Sequence, residues 1–276
     1  MNLLLLEPGE RVLDRSDPRA RHIRKVLRLR TGDEVRAGEV GGRIGIARIA
    51  DDDRGTFALE FEPREAPLAL PPVCLILGHP RPIVLRRLLR DLTAIGPAGI
   101  VVTHTDLGEK SYYESNLWAD VRTPLLDGAA QGGTTLLPSV RKAGSLAEAA
   151  AAADSVVAEA ASGASPGHRE PRRLVLHADG AAVARSTVHA DGAAVAVAAG
   201  DRPQAAPTIA EVLGAPDPGT PVVLAVGSER GWTAREVDVL AGLGFVAATL
   251  GDRVLRTETA ALVATWAAVS WYHRRS

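Results

Sequence analysis

Leu224-Ala225-Val226-Gly227-Ser228-Glu229-Arg230-Gly231-Trp232-Thr233 is the stretch on which the reading of this chain turns. It begins inside the apolar run Val222–Val226, short and continuous like a strand buried on both faces. Two glycines then bracket a turn, and Thr233 stands where it can cap a helix that closes near Gly242. Glycine lets backbone approach a ligand closely, and a helix start offers free N–H groups. A ligand site is therefore expected just past this strand.

Working outward, the same alternation repeats. Residues 245–250 read as a strand and residues 257–271 as the closing helix. The joint between them, Leu250-Gly251-Asp252-Arg253-Val254-Leu255-Arg256-Thr257-Glu258-Thr259-Ala260, again passes through glycine, with Thr257 placed to cap. Upstream, strands are expected at 73–77, 99–103, 136–140 and 174–177, and helices at 83–94, 111–127 and 145–153. Strands alternating with helices imply an α/β domain, a parallel sheet covered on both faces. Residues 178–220 interrupt it. They are rich in Ala, Gly, Pro and Asp, and HADGAAVA occurs at both 177–184 and 189–196, so they read as an insertion grown by local duplication.

Residues 1–70 differ in pattern. Strand-like alternation falls at 34–40, 43–50 and 56–62, with Gly41-Gly42 as a hairpin turn. Residues 18–29 have helical spacing, which would bring Ile23, Val26, Leu27 and Leu29 near one face. The chain thus divides into a small β-rich module, 1–70, a proline-spiced linker at 63–72, and an α/β domain, 71–276.

Charge and composition narrow the function. The chain has 276 residues and a net charge of -1, so only local patches could attract a polyanion. One such patch runs from Arg19 to Arg30, through Arg21, Arg24, Lys25 and Arg28, without an acidic residue; a second comprises Arg81, Arg86, Arg87 and Arg90. Either could hold phosphates or be a solvated helix face. One cysteine, Cys74, excludes a disulfide framework or cysteine-rich zinc site, and the seven histidines lack metal-ligand spacing. The leucine run after Met1 lacks a basic flank and is short for a signal peptide, and no apolar run suits a membrane span. A cytoplasmic protein without metal or membrane is expected. Gly242-Leu243-Gly244-Phe245-Val246-Ala247 fits a dinucleotide fingerprint in letters only, since it follows a helix and enters a strand.

The two glycine joints, in this order, resemble those of the family that methylates N3 of a uridine in 16S ribosomal RNA, within the SPOUT or α/β-knot methyltransferases. That family's G-P-E-G-G-[FW]-[ST]-x-x-E is here Gly227-Ser228-Glu229-Arg230-Gly231-Trp232-Thr233 with Glu236, and its L-G-x-R-I-L-R-x-E-T-A matches residues 250–260. His22-Ile23-Arg24-Lys25-Val26-Leu27-Arg28 with Gly32-Asp33 resembles its H-x-x-x-V-L-R…G-D signature. The resemblance implies a PUA-like RNA-binding β-barrel ahead of a SPOUT domain with a deep trefoil knot, acting as a homodimer. It implies S-adenosylmethionine held by Leu176, His177, Val226, Gly227, Gly231, Leu250, Gly251, Val254, Leu255 and Thr259. Ribosomal RNA of the small subunit, or its assembly intermediate, would be the partner, contacted through His22, Arg24, Lys25, Arg28 and Arg86.

Uridine N3 carries a proton, so catalysis needs a base or a group that steadies the developing anion. A guanidinium suits the second task, which points to Arg256; Glu258 could orient it or take the proton, and Gln131 could bond the base edge. A salt bridge between Arg256 and Glu258 at the helix start is the plainer alternative. The chain departs from the family at Ala130, Thr134 and Ala94, where it usually has glutamate, arginine and glutamate. Those changes favour a second hypothesis, a SPOUT methyltransferase for another RNA site. A non-catalytic RNA-binding relative is a third.

Overall fold

A computed structural model describes residues 2–51, 56–162, 169–176, 206–217 and 219–274. His177 and both copies of the octapeptide lie outside the described residues. The chain forms two compact units, residues 1–69 with 122–137 and residues 70–121 with 138–276.

The first unit is built on a five-stranded sheet. In chain order its strands are β1 (Leu4–Leu6), β2 (Val12–Asp14), β3 (Glu34–Glu39), β4 (Ile44–Asp51) and β5 (Thr56–Glu65), arranged β1-β3-β4-β5-β2. Alternation sends Ala37, Ala47, Ile49, Phe57 and Leu59 inward, against Leu4, Leu6, Leu13 and Ile23. Gly41, at φ +74°, turns β3 into β4. Gly45 lies where an added Cβ would come within 1.9 Å of the Glu62 carbonyl, so only glycine fits where β4 crosses β5. Helix α4 (Arg122–Gly132) belongs to this unit, although residues 111–127 read as helix within the α/β domain. Its Ala129 packs with Leu3, Leu5 and Ile44, and the Ala130 carbonyl accepts the N–H groups of Asn2 and Leu3 at 3.0 and 3.1 Å.

The expected helix at 18–29 needs correction. Helix α1 (Pro18–His22) passes into a π-helical turn, Ile23–Leu27, which ends at Arg28 in the left-handed region, φ 57°. The wider turn adds a residue per revolution and breaks the 3.6-residue phase. Ile23 stays fully buried, whereas Val26 is 63% and Leu27 39% exposed. Helix α1 is instead anchored by Arg19. Its guanidinium donates to Glu10 and Asp17 at 2.7–3.3 Å and to the Leu5 carbonyl at 2.8 Å.

The second unit carries a six-stranded, all-parallel sheet. Its strands are β6 (Val73–Gly78), β7 (Gly99–Thr103), β8 (Ser139–Ala143), β9 (Arg172–Leu176), β10 (Val222–Val226) and β11 (Val246–Ala248), in the order β11-β9-β10-β6-β7-β8. β6, β7 and β10 are buried along their whole length. Helices α2 (Pro82–Ile95), α3 (Lys110–Tyr113), α5 (Leu146–Ala161), α6 (Ile209–Leu213), α7 (Ala234–Gly242) and α8 (Thr257–His273) complete it. Helices α5 and α7 bury Ala153, Val156, Val237 and Leu240 against Cys74, Val175 and Ala225. Thr233 caps α7 reciprocally with Glu236, as the sequence suggests. The closing helix differs: its cap position is Arg256, not Thr257, and no side chain caps it. The eighth strand lies three residues later than expected, and residues 111–120 form one helical turn and a 3₁₀ segment.

Burial, the largest single cause, raises the Glu10 and Asp17 carboxyl pKa values, but the hydrogen bonds and charge of Arg19 together with backbone N–H donors outweigh it, so both fall below the ordinary carboxylate range. Groups with depressed folded pKa values contribute stability above their unfolded pKa and lose it as pH falls through the folded one. Arg19→Met is therefore expected to lower the melting temperature at neutral pH, and the gap to wild type to shrink below about pH 4. A gap independent of pH would show that packing, not the ion pairs, holds α1.

Candidate active site at the strand ends

Three strands set the site. In register, Val226 lies opposite Leu77 on one side and Leu176 on the other, so β6, β9 and β10 end level. Beyond them opens a cavity of about 690 Å³, within the ~300–1,000 Å³ range of small-molecule sites. Such crevices at carboxyl ends are where open parallel sheets bind ligands.

Glycine makes the wall possible. The turn after β10 closes with Gly231 N–H donating to the Ser228 carbonyl at 2.9 Å, and Gly231 sits at φ +72°. A Cβ on Gly227 would lie 2.8 Å from the Gly231 carbonyl carbon. Gly251, at φ +115°, bends the second joint. Gly78 ends β6 where a Cβ would fall 2.6 Å from Ser228 N and 2.7 Å from Thr105 Cγ2. The turn is tied to the start of α2: the Glu229 carboxylate accepts the Arg81 N–H at 2.9 Å.

The cavity gathers most of the expected cofactor residues. Leu176, Val226, Gly227 and Gly231 line one part, and Leu250, Gly251, Val254 and Leu255 another. Arg256 and Glu258 also line it. No ion pair joins these two among the described residues, so the plainer salt-bridge reading finds no support in the geometry. Thr259 is exposed and does not line the cavity. Gln131 lies on α4 in the other unit, where its carbonyl accepts Asn2 Nδ2 at 2.8 Å. Arg86, on α2, faces Asp120 at 3.4 Å. His22 and Arg24 are half-buried, and Lys25 and Arg28 exposed, all in the first unit.

Sequence reasoning placed Arg81 only in a basic cluster and did not single out Val84; both line the cavity at the start of α2. It also missed three buried polar residues that follow strand ends. His79, Thr105 and Ser228 are 3%, 1% and 5% exposed, and His79's two ring nitrogens and both hydroxyls lack a hydrogen-bond partner. Burial is the main cause holding the His79 pKa below its usual value. The ring meets those of Tyr113 and Trp118, with centroids 5.6 and 6.0 Å away; a histidine immediately after a buried strand was the available signal.

A doubly covered parallel sheet with a glycine-walled cavity at its strand ends, carried in one chain with a small β unit, defines the class. The chain belongs to the RNA methyltransferase family: residues 67–269 match the model of an RNA methyltransferase domain, and residues 16–62 that of an RNA methyltransferase PUA domain. It is 32% identical over 272 residues to ribosomal RNA small subunit methyltransferase E of Treponema pallidum (strain Nichols), covering 96% of this chain and 89% of that protein. Ribosomal RNA small subunit methyltransferase E 1 of Borreliella burgdorferi is 31% identical over 145 residues, 51% of this chain and 61% of that one. The crystal structure of a ribosomal RNA small subunit methyltransferase E from Neisseria gonorrhoeae, bound to S-adenosyl methionine, shares the fold with a TM-score of 0.59. Identity there is 20%, over 99% of this chain and 98% of that one.

The Gly78 contact predicts a stability effect. Backbone on one side and a β-branched side chain on the other cannot both yield, so Gly78→Ala should cost about 1–3 kcal/mol in denaturant unfolding. Gly242→Ala, a helical site with nothing within 4 Å of the added Cβ, should be neutral or stabilising. Equal effects at the two positions would remove the argument that Gly78 is fixed by close approach.

Proposed function

We propose that this chain transfers a methyl group from S-adenosylmethionine to N3 of a uridine in small-subunit ribosomal RNA, as a homodimer in the cytoplasm. The observation that carries this reading is the cavity itself: glycine backbone on its walls, and an arginine and a glutamate at its rim with no ion pair between them. Its volume suits a cofactor of this size, and Gly227, Gly231 and Gly251 leave room for close backbone approach. Leu176, Val226, Val254 and Leu255 would hold the cofactor's apolar parts, and the Ser228 hydroxyl, buried and unpartnered, can donate to it. Bound there, S-adenosylmethionine supplies a methyl group activated on a sulfonium. We infer also that the 250–260 joint passes through the knot of the SPOUT fold.

The chain's own residues must handle the uridine proton. N3 forms its bond to carbon as N3–H breaks, and negative charge gathers on the flanking carbonyl oxygens. Arg256, fixed at the entry to α8 and always charged, presents donors to that charge. Glu258, in the first turn of α8 two residues on, is the base or orients Arg256. In the first unit, His22, Arg24, Lys25 and Arg28 hold the RNA backbone. The absence of the family's acidic and basic residues at Ala94, Ala130 and Thr134 supports the second reading, the same reaction at a different RNA position.

No helix among the described residues is long and apolar enough to cross a membrane. The closing helix is apolar on more than its sheet-facing side: Trp271 and Val269 are buried, yet Trp266 is 58% and Val263 41% exposed. A second copy covering these residues would bury them. Light scattering at micromolar concentration should therefore return a dimer mass, and Trp266→Glu should return a monomer. A monomeric wild type overturns the assembly.

Single-turnover methylation of ribosomal RNA with saturating cofactor tests the reaction. Arg256→Ala is expected to lower the rate by roughly a hundredfold to a thousandfold while cofactor affinity, read by calorimetry, stays within a few-fold. Lysine should rescue poorly, because a point charge does not reproduce the guanidinium fork. A near-normal rate in Arg256→Ala makes that residue structural, and no methyl transfer by the wild type removes the reading.

A further inference from the structure

We propose that Val26 and Leu27 form an apolar contact for unpaired bases of an RNA strand, flanked by the phosphate-binding cations Arg24, Lys25 and Arg28. This rests on the reading of the first unit as RNA-binding and adds what kind of RNA surface it takes. Val26 and Leu27 are 63% and 39% exposed beside a fully buried Ile23, so the core does not use them. Arg24, Lys25 and Arg28 have no ion pair among the described residues, whereas Arg11, Arg19 and Arg36 of the same unit pair with carboxylates. Two exposed large apolar side chains thus stand next in sequence to three cations without an ion pair among the described residues.

The backbone supports a functional rather than a structural origin. Arg28 is the only non-glycine residue with positive φ among the described residues, and it ends a π-helical turn. Glycine would hold φ 57° at lower cost, and π turns and strained residues recur at functional sites. What the arginine adds in return is a guanidinium beside Val26 and Leu27.

The chemistry selects the RNA surface. Phosphates satisfy the cations but offer nothing to valine and leucine. Paired A-form RNA hides its base faces, while loops and bulges present them. Proteins that hold single strands combine a positive track with side chains, chiefly aromatic, on which base faces rest; valine and leucine offer those faces dispersion contact and shelter from water. The positive charge would suit an anionic lipid surface too, but residues 16–62 match an RNA methyltransferase PUA domain, which favours RNA.

Fluorescence anisotropy with a short single-stranded oligouridylate and a blunt RNA duplex of equal phosphate count tests this. The double variant Val26→Ser, Leu27→Ser should bind the single strand about tenfold more weakly, with an unchanged salt slope and near-normal duplex binding. Val12→Ser, equally exposed on β2 at 55%, should bind as wild type. Arg28→Gly should keep or raise the melting temperature, yet weaken binding and flatten the salt slope by about 0.7. Wild-type affinity in the double variant overturns the proposal, as does an equal loss on single strand and duplex. Binding only to phosphatidylserine vesicles, lost in the double variant, overturns it in favour of a membrane. RNA binding with the expected pattern but no methyl transfer would leave this inference standing while removing the reaction; transfer with unaltered binding by the double variant would do the reverse.

Discussion

The second unit depends on the level ending of β6, β9 and β10. Parallel pairing on both sides of β10 fixes its register, and full burial forbids it to slide, since a slip would strand polar backbone in the core. The whole cavity is set by where those ends stop. The chain must turn sharply there, and neighbouring turns crowd one another. Gly78 and Gly227 are the positions at which crowding is relieved by having no side chain. At these positions the site is walled by backbone, and charged side chains such as Arg81, Arg256 and Glu258 line the rest of it.

Helix starts then fix the direction the chain takes after each turn. Thr233 and Glu236 cap α7 reciprocally, and Glu236 also accepts the Asp106 N–H at 2.8 Å, which ties the turn after β10 to the loop after β7. Thr233 and Arg235 bind the Asp106 carboxylate as well. The second joint is treated differently. Helix α8 begins at Arg256 without a side-chain cap, and the residues before it, Asp252 to Leu255, are exposed. Helix α7 thus leaves a turn tied by side chains, whereas α8 leaves one whose last residues are exposed.

Much of this was legible from residues. The parallel sheet could be read because β6, β7 and β10 are short, continuous apolar runs, and the cavity because both glycine joints follow such runs. Thr233 was readable as a cap from Glu236 three residues on. The losses have physical causes. The residues from Pro18 to Leu29 have the apolar spacing of an ordinary helix, and nothing local announces that the turn at Ile23 will widen; the decision lies in Leu29 returning to the core while its N–H reaches the Ile23 carbonyl at 3.2 Å. Strands β1 and β2, of three residues each, are too short for a periodicity to show. Helix α4 lies within the methyltransferase-domain match, yet it clusters with the first unit through Leu3 and Leu5, which are far away in sequence. His79, Thr105 and Ser228 each follow a strand by one or two residues, and their burial could not be read before the sheet order was known.

The arginines separate structure from function more sharply than sequence does. Arg19 is half-buried and saturated by Glu10, Asp17 and the Leu5 carbonyl; a charge placed there must be paired, because desolvation would otherwise exceed any gain. Arg173 against Asp154 and Arg141 against Glu159 are also paired at the flank of α5, the latter pair largely in solvent. Arg24 and Arg28 in one unit, and Arg256 in the other, have no such carboxylate among the described residues. An unpaired guanidinium in water costs the fold little and contributes little to it, so stability does not account for its place. Its donors are free to meet phosphate or a developing oxyanion without first breaking an ion pair, which is what the roles proposed above for Arg24, Arg28 and Arg256 require.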